Sequence, residues 1–338
     1  MNWNAKRIEF LALFITALIK VRTVNLAEIA RVFPGRAAAD SKFRRIQRFL
    51  SGFNLPFNDI AKLVAAGLPQ GRWILAIDRT NWQFGKTVIN LLVLGVVYQG
   101  TAVPLLWIPL NKKGNSDTAE RIELLDRFLT LFGRERIAYV TADREFTGSA
   151  WLQWLIWQGI GFSIRIKSNT LAAGKDGVPA QIIRQFVRLP AGTKRLLKNI
   201  EIWGCTVNAE GMRLKEGGYL IVISDKTSGI INSYKARWNI ETMFGCLKSR
   251  GFRFEDTHLK DPERISKLLA LLALAFLWAV QAGAWLITRG KAVPFKKTLR
   301  RPLKSIFRHG LDYLREMLFN PIDNLQELMR LLEFLSCT

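Results

Sequence analysis

Histidine is nearly absent from this chain: His258 and His309 are the only two in 338 residues. Cysteine is almost as scarce. Cys205, Cys246 and Cys337 lie far apart and form no C-x-x-C pair. A structural zinc site needs close-set nitrogen or sulfur ligands, so none is expected, and the cysteine pattern suits a reducing cytoplasm. No G-x-x-x-x-G-K-[ST] run occurs, so ATP is not implied. Internal repeats and low-complexity tracts are lacking too. Leu11 to Ile19 is apolar, but Lys6, Arg7 and Glu9 precede it and no small-residue cleavage site follows. A secretory leader is therefore not expected.

Acidic residues are in deficit: 27 Asp and Glu stand against 50 Lys and Arg, for a formal charge of +23. Such a charge repels itself and calls for a polyanionic partner, nucleic acid first and an anionic membrane surface second. The 49% of hydrophobic residues is enough for a large core, which excludes a disordered basic tail. Only one long apolar run exists. Ile265 to Ile287 is interrupted by Ser266, Lys267 and Gln281 alone and is long enough to span a bilayer. Basic residues flank both ends, so it carries no orientation signal. Ala270, Ala273, Ala275, Ala279, Ala282 and Gly283 suit close helix packing, and the run is read as a buried core helix, not a membrane span.

Residues 1–70 read as helical. Asn25 is a candidate N-cap for a short helix through Phe33, and a Pro34-Gly35 turn follows. Ala38 to Leu50 then sets Lys42, Arg44, Arg45 and Arg48 among Phe43, Ile46, Phe49 and Leu50. Short helix, turn and basic amphipathic helix fit a helix-turn-helix-like DNA-binding unit; a solvated basic surface is the plainer alternative. From residue 72 strands dominate: 72–78, 86–98, 102–110, 138–143 and 161–167, with helices over 118–131 and 148–158. Continuous apolar strands predict a sheet covered on both faces. Residues 168–218 read as a small β insertion outside the main sheet. Tyr219 to Ser224 returns to a core strand, and Ile231 to Arg250 reads as one basic, aromatic helix. The expected organisation is a helical DNA-binding region (1–70), an α/β core in two parts (71–167 and 219–290) split by the insertion (168–218), and a helical C-terminal segment (291–338).

Asp78 and Asp143 each end a predicted core strand, and Glu241 lies in the helix after the insertion. Three carboxylates from separate elements can hold two hard cations, and a metal pair can act on both the attacking and leaving oxygens of a phosphodiester. Asp residues at strand ends are also common caps and turn formers, so this pattern is weak by itself. The helix adds Tyr234, Arg237, Glu241 and Lys248 in a Y-x(2)-R-x(3)-E-x(6)-K arrangement on one helical face. Arg237 and Lys248 would grip phosphates beside Glu241. The plainer reading is an exposed Arg237–Glu241 ion pair. His258 and Asp256 are expected to be structural.

This signature resembles that of the IS4 family of bacterial insertion-sequence transposases, the Tn5-like enzymes. Tyr234-Lys-Ala-Arg237-Trp238-Asn-Ile-Glu241 is very similar to the family's version, and Asp78-Arg79-Thr80 and Asp143-Arg144-Glu145 resemble its two aspartate motifs. The resemblance covers roughly residues 70–285. It implies an RNase H-like fold, a β-rich insertion before the glutamate, and two Mg²⁺ or Mn²⁺ ions on Asp78, Asp143 and Glu241. It also implies hairpin-ended excision, with Trp238 matching a position that stacks a flipped base; Trp203 is a second candidate or a packing residue. The DNA contacts implied or suggested are Tyr234, Arg237, Trp238, Lys248, Trp203, Arg144 and the basic face of Lys42, Arg44, Arg45 and Arg48. Lys194, Arg195 and Lys198, and Lys296, Lys297, Arg300, Arg301 and Lys304, are further candidates for tracking the backbone. The expected partners are the element's terminal repeats, target DNA and a second copy of the chain, in a prokaryotic, nucleoid-associated cytoplasmic setting. A nuclease that cuts without joining, and a catalytically silent regulator derived from a transposase, remain open alternatives.

Overall fold

The computed structural model describes residues 4–173, 178–296, 298 and 301–336. Four helices come first: α1 (Ala5–Val21), α2 (Leu26–Val32), α3 (Ala39–Gly52) and α4 (Phe57–Ala66). Asn4 and Asn25 cap the first two, each side chain accepting a backbone N–H two residues on. Strands β1 (Trp73–Phe84), β2 (Thr87–Tyr98) and β3 (Thr101–Pro109) form a meander, followed by α5 (Thr118–Phe132), β4 (Ile137–Ala142), α6 (Ser149–Trp157) and β5 (Phe162–Arg165). A reciprocal capping box of Asp117 and Glu120 starts α5.

Ten strands of the described residues form one sheet in the order β3-β2-β1-β4-β5-β10-β9-β8-β6-β7. Its second half comprises β6 (Leu171–Ala173), β7 (Pro179–Gln181), β8 (Lys194–Ile202), β9 (Cys205–Arg213) and β10 (Tyr219–Ser224). This corrects one expectation. The strands of 168–218 are not a separate small sheet. β10 pairs with β5 on one side and β9 on the other, so the hairpin β8–β9 prolongs the main sheet. Nonlocal pairing of this kind leaves no mark in local composition.

The first strand also differs from expectation. Its apolar run stops at Asp78, but the strand continues to Phe84 as the antiparallel partner of β2. Beyond Asp78 the residues alternate between inward and exposed, which is why the run looks finished. The 231–250 segment is helical as expected through Leu247, but not as one uniform α-helix. Helix α7 (Ile230–Tyr234) passes through a 3-10 turn at Lys235–Arg237 into α8 (Trp238–Leu247). Helix α8 lies on the meander, and Met243 packs where Gly95 offers no side chain.

Helix α9 (Pro262–Thr288) is, among the described residues, the one helix long and apolar enough to cross a membrane, and it is packed inside the protein. It touches α1, α3, α4, α10 (Ile306–Phe319), α11 (Leu325–Ser336) and β3. The interruptions seen in its sequence have uses. The Lys267 ammonium, 2% exposed, donates to the Leu50 carbonyl at the end of α3 (3.2 Å) and pairs with Glu263 (2.8 Å). Gln281 donates to the Gly67 carbonyl just after α4 (2.9 Å). Each satisfies a carbonyl at a helix end that would otherwise lack a donor. Gly283 meets the backbone of Ile306, so α9 and α10 approach closely. The N-terminal helices thereby share one hydrophobic core with the sheet.

Candidate active site

Strands β1 and β4 run parallel and adjacent, with Ile77 paired to Ala142 as the last register position. Asp78 follows Ile77 within β1 and Asp143 follows Ala142 just beyond the end of β4, so the two residues are neighbours across the sheet. Each carboxylate is held by the same local device. Asp78 Oδ1 accepts the Arg79 backbone N–H (2.7 Å), and Asp143 Oδ1 accepts that of Arg144 (2.8 Å).

The third carboxylate reaches them through Arg237. This guanidinium is 5% exposed at the end of the 3-10 turn. Its Nη2 donates to Glu241 Oε1 at 2.6 Å, and its Nη1 lies 3.6 Å from Asp78 Oδ2. The i,i+4 pair anticipated as the plainer reading exists, but it is buried on the arginine side and extends to Asp78. The Tyr234 hydroxyl donates to Asp143 Oδ1 (3.2 Å), and Arg165 lies 3.9 Å from the same oxygen. The three carboxylates, Tyr234 and two arginines thus form one neighbourhood.

Its electrostatics follow from burial. Removal from water pushes the Asp78 carboxyl up to about 7, and Glu145 and Asp143 push the same way, against the Arg79 N–H and the Arg237 charge. Burial likewise raises the Tyr234 phenol, so it stays a donor. Burial works against the Arg237 charge, but Tyr234, Glu241 and Asp143 outweigh it and hold the guanidinium above its ordinary value.

Several supporting residues had no sequence signal beyond their type. Arg121 on α5 is buried and donates to Ser116 Oγ (3.0 Å), the Ser116 carbonyl, the Glu145 carbonyl (2.9 Å) and the Thr147 carbonyl (3.2 Å). It thereby ties the loop after Asp143 to the loop before α5. Arg79 spans a similar gap, meeting Glu145 Oε1 (3.4 Å), Asn90 Oδ1 (3.2 Å) and Asn115 Oδ1 (3.0 Å). Arg165 is the last residue of β5, half-buried where the three before it are buried.

The remaining candidates fall in different places. Trp238 is 64% exposed and, with Arg165, Tyr234, Lys235 and Arg237, lines a cavity of about 340 Å³ beside the carboxylates. Lys248 caps α8 and pairs with Glu255 (2.6 Å), away from the Arg237 cluster in bonding terms. Arg144 is exposed. Trp203 is half-buried at the β8–β9 turn, where its carbonyl accepts from Ser149 at the start of α6 (3.0 Å). Both Trp203 and Gly204 have positive φ, 52° and 74°, a two-residue hairpin geometry that a bulky residue seldom adopts. Lys42, Arg44, Arg45 and Arg48 line α3; the three arginines are exposed, and none of the four pairs with a carboxylate among the described residues. Lys194 reaches Asn232 (3.1 Å) and Arg195 the Gln185 carbonyl (2.6 Å), while Lys198 is exposed. Lys304 pairs with Asp312. Lys297 and Arg300 lie outside the described residues, as do the side chains of Lys296 and Arg301 and all of Cys337. His258 stacks on Phe84 at 4.9 Å.

Among the described residues, no three Asp, Glu, His or Cys side chains stand together as a ready-made metal cluster. The donor chemistry nonetheless fits hard divalent cations, since the neighbourhood offers carboxylate oxygens without thiolate or imidazole. The buried Nε of Arg237 has no acceptor, so the guanidinium is only partly satisfied between Asp78 and Glu241.

The family model described as "Transposase DDE domain" matches residues 69–278, more than half of the chain and all three carboxylates. In structure the chain is similar to piggyBac transposase in a synaptic complex with hairpin DNA, at 13% identity and a TM-score of 0.50, over 95% of this chain and 73% of that one. At that identity the likeness carries the fold, which is mixed α/β of the RNase H-like type. No curated protein sequence matches the chain.

Proposed function

Because this chain belongs to the family of transposase DDE domains, we propose that it is an insertion-sequence transposase of the IS4 type that cuts the ends of its own element and joins them to target DNA. The observation that carries the site assignment is the pairing of Ile77 with Ala142, which sets Asp78 beside Asp143, together with the Arg237 bridge from Asp78 to Glu241. Asp78, Asp143 and Glu241 would hold two Mg²⁺ or Mn²⁺ ions. Divalent ions, when bound there, supply Lewis acidity at a phosphodiester.

The chain's own residues do the rest. Tyr234 and the Arg79 and Arg144 backbone N–H groups orient the two aspartates. Arg165, Lys235 and Arg237 give the adjoining cavity a positive wall suited to phosphate, and exposed Trp238 offers a face on which a base can stack. Arg44, Arg45 and Arg48 on α3 would position duplex without reading it. In the proposed sequence, water attacks the phosphodiester at the element's end and releases a 3′-OH. That hydroxyl attacks the opposite strand to close a hairpin, a second water opens it, and the freed 3′-OH attacks target DNA. Hairpin DNA in the piggyBac complex supports this route by analogy.

The test is cleavage and strand transfer on labelled duplex carrying the element's ends, with Mg²⁺ or Mn²⁺, for wild type and Glu241→Gln. Nicked and joined products that vanish in the variant while DNA binding persists support the assignment. Cleavage without joining favours the nuclease, and binding without any chemistry favours the regulator.

A further inference from the structure

Arg237 presents a single buried guanidinium to two carboxylates that come from unrelated elements. Asp78 rides on β1 and Glu241 on α8, and Arg237 contacts both, at 3.6 and 2.6 Å. A buried cation between two buried or half-buried carboxylates offsets their mutual repulsion. A divalent ion would offset the same repulsion through the same oxygens. The guanidinium and the ion are therefore alternatives, because Arg237 Nη1 and Nη2, 3.6 Å from Asp78 Oδ2 and 2.6 Å from Glu241 Oε1, stand where an ion shared by those two oxygens would sit. The guanidinium is also poised to leave. Its Nε is buried without an acceptor, and Arg237 itself lines the cavity of about 340 Å³ together with Arg165, Lys235 and Trp238. A phosphate entering that cavity would offer Arg237 two oxygens in the fork geometry it prefers.

We propose that Arg237 is a latch that competes with divalent cations for Asp78 and Glu241 and is drawn off them by a DNA phosphate, so that DNA and metal bind cooperatively. The proposal rests on the carboxylate-site reading above. It makes metal uptake conditional on DNA, which would keep the hydrolytic site weak until a strand is in place. By linkage, DNA tightens metal binding by the factor by which metal tightens DNA binding.

The experiment is titration of the full chain with Mn²⁺, followed by the electron paramagnetic resonance of the free ion, with and without a short duplex oligonucleotide. Wild type is compared with Arg237→Lys, which keeps the charge but loses the two-pronged reach. The latch predicts that, without DNA, the lysine variant binds Mn²⁺ about 5-fold or more tightly than wild type. It also predicts that DNA tightens Mn²⁺ binding in wild type and much less in the variant. Arg237→Gln provides the same comparison should the lysine variant fail to fold by thermal melting. Equal or weaker Mn²⁺ binding by the variants overturns the latch and makes Arg237 a support for the site. Mn²⁺ binding that is indifferent to Asp78→Asn overturns the latch together with the metal-site reading beneath it.

Discussion

The Tyr234 hydroxyl donates a hydrogen bond to Asp143 Oδ1 at 3.2 Å, linking the helical segment that carries Glu241 to the strand end that carries an aspartate. Among the described residues, that oxygen is otherwise met by the Arg144 backbone N–H and, at 3.9 Å, by Arg165. Tyr234→Phe keeps the ring and deletes the donor. A hydrogen bond to a charged group is worth about 1.5 kcal/mol or somewhat more, so end cleavage should slow about tenfold. Single-turnover cleavage at saturating DNA measures it. A rate within twofold of wild type would show that Asp143 needs no help from Tyr234.

Arg121 should matter as much for stability as for alignment. It is 4% exposed and satisfies three backbone carbonyls and the Ser116 hydroxyl, with the Phe146 ring 5.2 Å away. Arg121→Met retains bulk but strands those acceptors. Each unpaired buried acceptor costs about 1–3 kcal/mol, and partial rehydration of the loops limits the total to about 3 kcal/mol. Urea unfolding tests this. A loss under about 1 kcal/mol would mean that the two loops hold together without it.

Asp312 on α10 gathers three cations: Lys304 at 2.7 Å, Arg308 at 2.8 Å and Arg22 at 3.6 Å. Burial alone would raise its carboxyl, but the hydrogen bonds from Lys304 and Arg308 outweigh it and hold the group below the ordinary 3.8. A carboxyl depressed in the folded state binds its proton more readily when unfolded. Its contribution is therefore complete above the ordinary carboxylate range and is lost as pH falls through the folded value. Unfolding free energies for wild type and Asp312→Asn should differ by a constant at neutral pH and converge in acid below that range. A gap that persists unchanged in strong acid would locate the effect in packing instead of charge.

The sequence made the element order legible because the strands are long apolar runs and the helices have ordinary caps. It was also possible to see that 265–287 would be a core helix, since Gly283 and the alanines fit the close crossing with α10. Lys267 and Gln281 looked like blemishes in that run. Their purpose, donating to carbonyls at the ends of α3 and α4, depends on residues more than 200 positions away. Asp78, Asp143 and Glu241 could be selected by type and spacing, but the Arg237 bridge from Glu241 to Asp78 required the fold. The 3-10 turn at Lys235–Arg237 was hidden for a different reason. Each residue there is an acceptable helix former, and the tighter turn accompanies the packing of α7 on β5 and β10 and of α8 on β1, β2 and β3, which local composition does not show. Arg121 was unreadable because its partners are mostly backbone carbonyls, which every residue possesses.

Helix α3 separates two accounts of the chain's excess charge. Ile46 and Leu50 face the core, and Arg44 and Arg48 face solvent without a carboxylate partner among the described residues. Arg45 is less informative, because its guanidinium also lies 5.0 Å over the Phe10 ring and its loss would disturb packing. If the exposed face meets DNA phosphates, Arg44→Gln with Arg48→Gln removes two contacts. The slope of log affinity against log salt should then fall in magnitude by about 1.8, at about 0.9 per contact with duplex. The loss should be similar for every sequence tried, because phosphate contacts carry no base readout. Fluorescence anisotropy on duplex oligonucleotides across a KCl series gives both quantities. An unchanged slope would make α3 a solvated basic surface and would move the DNA path to the cationic wall around Arg165 and Lys235.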